Sequence, residues 1–278
     1  MNRTFLFTAC ALVAFALNSI LCRLALRGGE ADAAGFTLIR LLSGAAALVL
    51  ISYFVKERKA AKRGSWTSAF FLFAYAICFS IAYLGMSAGT GALILFGTVQ
   101  LTMILTAVVR RERPSTVEYL GLLLAFAGLV YLVLPGLAAP PLMSSAFMAA
   151  AGIAWGAYTL RGKGSADPLA ETTGNFVRSV PMAVIIAVIY FSDLKFTQRG
   201  LILAVTSGAL ASGVGYSIWY AALRHLTSTR AAVLQLLVPV IAASLAVLIL
   251  NEELTLRLGL SALMALGGIA LTIYGRKR

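Results

Sequence analysis

The chain is an almost unbroken series of apolar runs, each about 18 to 22 residues long, joined by short polar connections. A run of that length crosses a ~30 Å hydrocarbon core as a helix rising about 1.5 Å per residue. Ten spans are predicted, at 4–25, 34–55, 66–86, 91–109, 117–134, 144–161, 170–191, 200–222, 231–250 and 258–275. Hydrophobic residues make up 60% of the 278 and charged residues 12%, where soluble domains stand at roughly half and a quarter. No stretch long enough for a soluble domain remains once the spans are removed. The predicted fold class is therefore an all-α polytopic membrane protein.

The charges report topology. A net charge of +13 invites a nucleic-acid reading, but the basic residues fall in short clusters between spans and form no continuous face. The expected partner is the lipid bilayer, not nucleic acid. With the N-terminus in the cytoplasm, the loops on that side carry 16 Lys and Arg, the largest cluster being Lys56, Arg58, Lys59, Lys62 and Arg63. The opposite loops carry four, Arg27, Lys195, Arg199 and Arg257. That bias puts both termini in the cytoplasm and requires an even number of spans. Cys10, Cys22 and Cys78 all lie inside apolar runs without metal-ligand spacing. They read as small core residues, and no metal or other cofactor is expected. Arg3 before an apolar stretch has the look of a secretory leader, but no small-residue cleavage site closes it, so it reads as the first span.

Sliding the chain along itself by 140 residues gives a faint, ordered match. Ala11, Ala14, Phe15, Ser19 and Arg23 fall on Ala151, Ala154, Trp155, Thr159 and Lys163. Phe79 then meets Trp219, Ala92 meets Ala232, Glu112 meets Glu252 and Gly128 meets Gly268. Arg40 falls on Arg178 with a two-residue shift, each seven or eight residues into its predicted span. The predicted organisation is a first five-helix repeat at 1–134, a linker at 135–143 and a second repeat at 144–278. Because five is odd, the second copy enters the membrane from the other side. Inverted repeats of this kind recur in secondary transporters, which bind solutes near the midplane between the halves.

Several motifs carry a family resemblance. An aromatic-then-polar element opens each half ("FALNS", "WGAYT"), and an Arg stands early in each second helix ("LIRLL", "FVRSV"). The fourth-to-fifth helix junctions read "RRERPSTVEYLGLLLAFAGLV" and "VPVIAASLAVLILNEELTLRLGLSALMALGGIAL". In these the chain resembles the drug/metabolite transporter superfamily, specifically its EamA-type ten-helix permeases, along nearly its whole length. It is most similar to the bacterial aromatic amino acid exporters. One departure is Val99, where the second half has Pro239. The resemblance implies a multi-pass protein of the bacterial cytoplasmic (inner) membrane that exports amino acids, aromatic and other neutral ones, by alternating access. The alternative is an efflux permease for drugs or other neutral metabolites, with or without proton coupling.

A central pathway needs polar or polarizable groups on inward faces, because lipid-facing positions are plain aliphatic. Tyr75, Phe79 and Tyr83 recur every fourth residue along one face of the third helix. Tyr216, Trp219 and Tyr220 share a face of the eighth, and Trp155 and Tyr158 one of the sixth. Asn18, Gln100 and Gln235 add amides in the first, fourth and ninth. These eleven are the candidate cavity residues. Aromatics near helix ends also suit interfacial belts, and amides also bond helix to helix. Pro181, Pro239, Gly213 and Gly215 are the hinge candidates, static kinks being the competing use.

No Asp, Glu or His stands at mid-span, which disfavours a cationic drug as the principal substrate and suits a neutral or zwitterionic solute. His225, the single histidine, falls in a cytoplasmic turn. The sequence holds no P-loop, zinc-protease helix or nucleophile elbow, so neither an enzyme nor an ATPase subunit is implied. Arg40 and Arg178 read as structural intramembrane charges in preference to substrate contacts, each roughly 10 Å from its own surface and within partial reach of a snorkelling side chain.

Overall fold

The computed structural model describes residues 3–55, 64–109, 115–136, 139–162, 165–223 and 234–275, the side chains of 3, 4, 107–109, 220 and 223 excepted. Its helices are α1 (Arg3–Arg27), α2 (Ala33–Val55), α3 (Trp66–Ala82), α4 (Ala88–Val109), α5 (Thr116–Val133), α6 (Leu142–Gly162) and α7 (Pro168–Ile189). The eighth, α8, has three consecutive parts: α-helical Gln198–Thr206, π-helical Ser207–Val214 and α-helical Gly215–Leu223. Then come α9 (Leu237–Leu250) and α10 (Leu256–Gly275). Among the described residues the extended structure amounts to one isolated bridge, Ala31 to Phe196.

Among the described residues, seven helices are long and apolar enough to cross a bilayer; α3 and α9 are apolar but shorter. Large aliphatic and aromatic side chains such as Phe54, Ile189, Leu248 and Leu263 are exposed, while Asn18, Arg40, Ser80, Gln100 and Ser212 are buried. Greasy outside with polar groups inside is the arrangement that hydrocarbon solvation selects. The chain is a helical membrane protein.

Local chemistry sets several helix ends. Ser65 caps α3 by accepting from the Ser68 amide, and Ser115 with Glu118 forms a capping box at the start of α5. Asp167 caps α7, whose first residue is Pro168. The third span, predicted to run to 86, stops at Ala82, and α4 begins at Ala88 instead of 91. The cause is Ser87, which accepts from the Thr90 amide at 3.2 Å and starts α4 early. The regular helix is interrupted at Leu236, three residues before Pro239, though its backbone stays right-handed helical. That is where a proline ring removes the amide that would have bonded four residues back.

The main packing pairs are α5 with α10, α2 with α7, α3 with α6, α1 with α8, α4 with α6, α1 with α9, α3 with α7, α2 with α8, and α4 with α9. The π-helical part of α8 lies so close to α2 that a Cβ on Gly208 would stand 2.1 Å from the Arg40 carbonyl oxygen. Gly213 and Gly215 meet Ala47 and Ala14 in the same way, at 3.0 and 2.9 Å. At this glycine-rich stretch the absent side chains let helices touch.

Candidate functional site

A narrow crevice in the middle of the bundle is lined by Phe15 and Asn18 of α1, Tyr75 and Phe79 of α3, Leu95 and Phe96 of α4, Trp155 of α6 and Tyr216 of α8. It has room for about one water molecule. The rings form a continuous ladder. Tyr83 meets Phe79 at 4.7 Å, Phe79 meets Tyr75 at 5.4 Å, and Tyr75 meets Trp155 at 4.8 Å. Trp155 stacks on Tyr216 at 5.2 Å and also touches Tyr158 at 5.3 Å. Such offset and edge contacts hold rings in defined orientations while leaving faces open to an apolar or cationic group.

One polar cluster adjoins this wall. The Ser207 hydroxyl donates to Asn18 Oδ1 at 2.8 Å, and Asn18 Nδ2 donates to Ser212 Oγ at 3.4 Å. Ser212 also accepts from Arg40 Nε at 3.4 Å, and Arg40 Nη2 donates to the Tyr75 hydroxyl at 3.0 Å. The Arg40 guanidinium carbon lies 4.9 Å from the centre of the Phe79 ring and 5.2 Å from that of Tyr75. Arg40 is 2% exposed. This corrects its expected placement at a bilayer edge: its side chain stays inside, held by two helices and two rings. Arg178 is half-buried and donates to the Gly174 carbonyl of its own helix at 3.0 Å.

Five of the predicted cavity residues, Asn18, Tyr75, Phe79, Trp155 and Tyr216, line the crevice together. Tyr83 is buried at one end of the ladder, its hydroxyl donating to the Ala88 carbonyl. Tyr158 lines a separate, smaller pocket with Gly162, Glu171 and Asn175, and its hydroxyl accepts from Asn175 Nδ2. Trp219 packs edge-on against Phe15 from behind. Gln100 is buried and Gln235 half-buried, both off the crevice wall. The Tyr220 side chain and His225 lie outside the described residues.

Phe15, Leu95, Phe96, Ser207 and Ser212 belong to the site without having been predicted. Phe15 had a signal, its coincidence with Trp155 at the 140-residue offset. Ser207 and Ser212 are five residues apart, a spacing that shares a face only when the helix widens to the π form. A second, larger groove between α4, α9 and α10 is walled by Leu93, Pro239, Ala243, Leu254, Leu258 and their neighbours. Its almost wholly aliphatic wall gives a solute little to be oriented by.

The end of the bundle that carries the α1–α2 and α7–α8 connections is closed by charge. Arg23 faces Glu252 at 3.5 Å and donates to the Tyr83 carbonyl at 2.8 Å, while Glu252 accepts from the Ala88 amide at 2.8 Å. The two connections are themselves clipped together, Lys195 N donating to Asp32 and Thr197 to Glu30. At the opposite end Asn175 accepts from the Ser65 amide at 2.8 Å and Arg161 donates to Ser68 at 3.1 Å.

The sequence model of the EamA-like transporter family matches residues 2–134 and 142–274. An uncharacterized protein of Pseudomonas aeruginosa is 47% identical over 99% of this chain and 96% of its own length. A "probable amino-acid metabolite efflux pump" of Salmonella typhimurium is 27% identical, and one of Escherichia coli 26%, each over 75% of this chain and 74% of its own. A solved crystal structure at 15% identity superposes with a TM-score of 0.67 over 97% of both chains, which speaks for the fold alone.

Proposed function

The chain belongs to the EamA-like transporter family, and from that premise we propose that it exports amino acids, aromatic and other neutral ones, from the cytoplasm by alternating access. The observation that carries this reading is the crevice itself. Its wall is aromatic and uncharged, offers one amide, and draws residues from both halves of the chain, Phe15, Asn18, Tyr75, Phe79, Leu95 and Phe96 from one and Trp155 and Tyr216 from the other. Such a wall suits a solute with an apolar side chain and no net charge. The efflux-pump names borne by the more distant relatives point the same way.

The two halves act as inverted five-helix repeats, 1–134 and 144–278, rocking about the crevice. Two observations support this. The family match falls once on each half. Exchanging α1–α5 with α6–α10 also returns the same main set of contacts between halves: α3–α6 becomes α8–α1, α4–α6 becomes α9–α1, and α5–α10, α2–α7 and α4–α9 map onto themselves. The protein sits in the bacterial inner membrane with both termini in the cytoplasm, so the end closed by Arg23 and Glu252 faces outward. With hardly more room than one water needs, the crevice is in an occluded form, and Tyr75, Phe79 and Trp155 must swing aside for a solute. Substrate moves down its own gradient without a coupled proton. Vesicles loaded with labelled phenylalanine, tryptophan or leucine test all of this. Release that survives collapse of the pH gradient is expected; no release of any neutral amino acid ends the proposal.

A further inference from the structure

Arg40 is a buried cation, and among the described residues no carboxylate pairs with it. The side chains bonded to or stacked on its guanidinium are Ser212, Tyr75 and Phe79, none of them a carboxylate. Two of its three nitrogens are bonded, to Ser212 and Tyr75, and the third, Nη1, is buried without a hydrogen-bond partner. A charge removed from solvent and left short of partners is destabilising by several kcal/mol in most settings, so its presence needs a reason. Arg178 gives no parallel, since it is only half-buried.

The place of the guanidinium supplies the reason. The rings that cover it, Phe79 and Tyr75, are also crevice wall, so the cation lies one ring behind the solute space. We propose that Arg40 receives the carboxylate of the transported solute. When the Tyr75 and Phe79 rings turn aside, one carboxylate oxygen accepts from Nη1. The other accepts from the Tyr75 hydroxyl, which takes a hydrogen bond from Nη2 and keeps its own proton to give. Ser212, bonded to both Arg40 and Asn18, holds the amide and the guanidinium in one frame, and Trp155 and Tyr216 face the rest of the solute. This rests on the crevice being the solute path. It narrows the substrate class to solutes bearing a carboxylate, and sets aside amines and cationic drugs.

The test uses the full chain, in vesicles and in detergent, with L-phenylalanine, L-leucine, their carboxamides and phenethylamine as probes. Wild type is expected to take the acids with a half-saturation about tenfold or more below that of the amides, the range of a charge-assisted hydrogen bond. Arg40→Gln should raise half-saturation for the acids about tenfold and leave the amides nearly unchanged, with Arg40→Lys in between. Equal handling of acids and amides by wild type overturns the assignment, as does an equal loss of both in a folded Arg40→Gln. If that variant does not fold, the wild-type ratio of acid to amide decides alone. Binding, read as the thermal shift each probe gives wild type in detergent, separates the two ideas. Acid preferred over amide without flux keeps the carboxylate site and ends the transport reading; flux without that preference does the reverse.

Discussion

Arg40 and Arg178 stand in the second helix of each half, the eighth residue of α2 and the eleventh of α7, and the fold treats them differently. Arg40 is enclosed by α3 and the π-helical part of α8, while Arg178 turns back onto the Gly174 carbonyl of its own helix. The difference comes from their neighbours. Ser212 reaches Arg40 because α8 widens over Ser207–Val214 and because Gly208 lets α8 touch the α2 backbone. The second helices of the two halves thus hold one arginine bonded back onto its own helix and one enclosed beside the crevice.

The widest separation between the two should appear with methionine, which keeps length and removes charge. Arg40→Met is expected to lower amino acid release from vesicles about ten- to a hundredfold, while its unfolding in detergent stays within about 1 kcal/mol of wild type, because losing an unpaired buried charge offsets the lost bonds. Arg178→Met should keep release within about twofold. A folded-state loss of several kcal/mol in Arg40→Met, with normal release from the surviving protein, would make the two arginines alike after all. Tyr75→Phe sharpens the contrast from the acceptor side. It strips Arg40 Nη2 of its partner, and the expected cost is about 1.5–3 kcal/mol by chemical denaturation, the size of a hydrogen bond to a charged group. Gly208→Ala attacks the approach of α8 to α2. Its Cβ would need space now held by Ser43 Oγ and the Arg40 carbonyl, so a cost of about 1–3 kcal/mol is expected, together with weaker binding of amino acids. The smallest effect belongs to Arg178→Ala, below about 1 kcal/mol in the same denaturation experiment, since its side chain is only half-buried.

Sequence reasoning reached the spans because hydrocarbon thickness fixes their length, and five of the crevice residues because helical spacing fixes which side chains share a face. Tyr75 with Phe79 is the clearest case, four residues apart and in ring contact at 5.4 Å. It failed where a local departure from the regular helix decides the geometry. Ser207 and Ser212 do not coincide on an α-helical wheel, and only the π turn aligns them toward Asn18. It failed also for Arg40, whose depth along its own helix says nothing about what packs over it. Trp219 shares the helix of Tyr216 yet packs behind Phe15, a choice made by the partner helix α1.

Glu252 ties three segments with a single carboxylate. One oxygen faces Arg23 on α1, and the other holds the Ala88 amide that begins α4. Parting that end of the bundle therefore leaves either α4 without a first-turn acceptor or Arg23 without its carboxylate. Under the alternating access proposed above, opening this end would draw on both contacts of that one side chain.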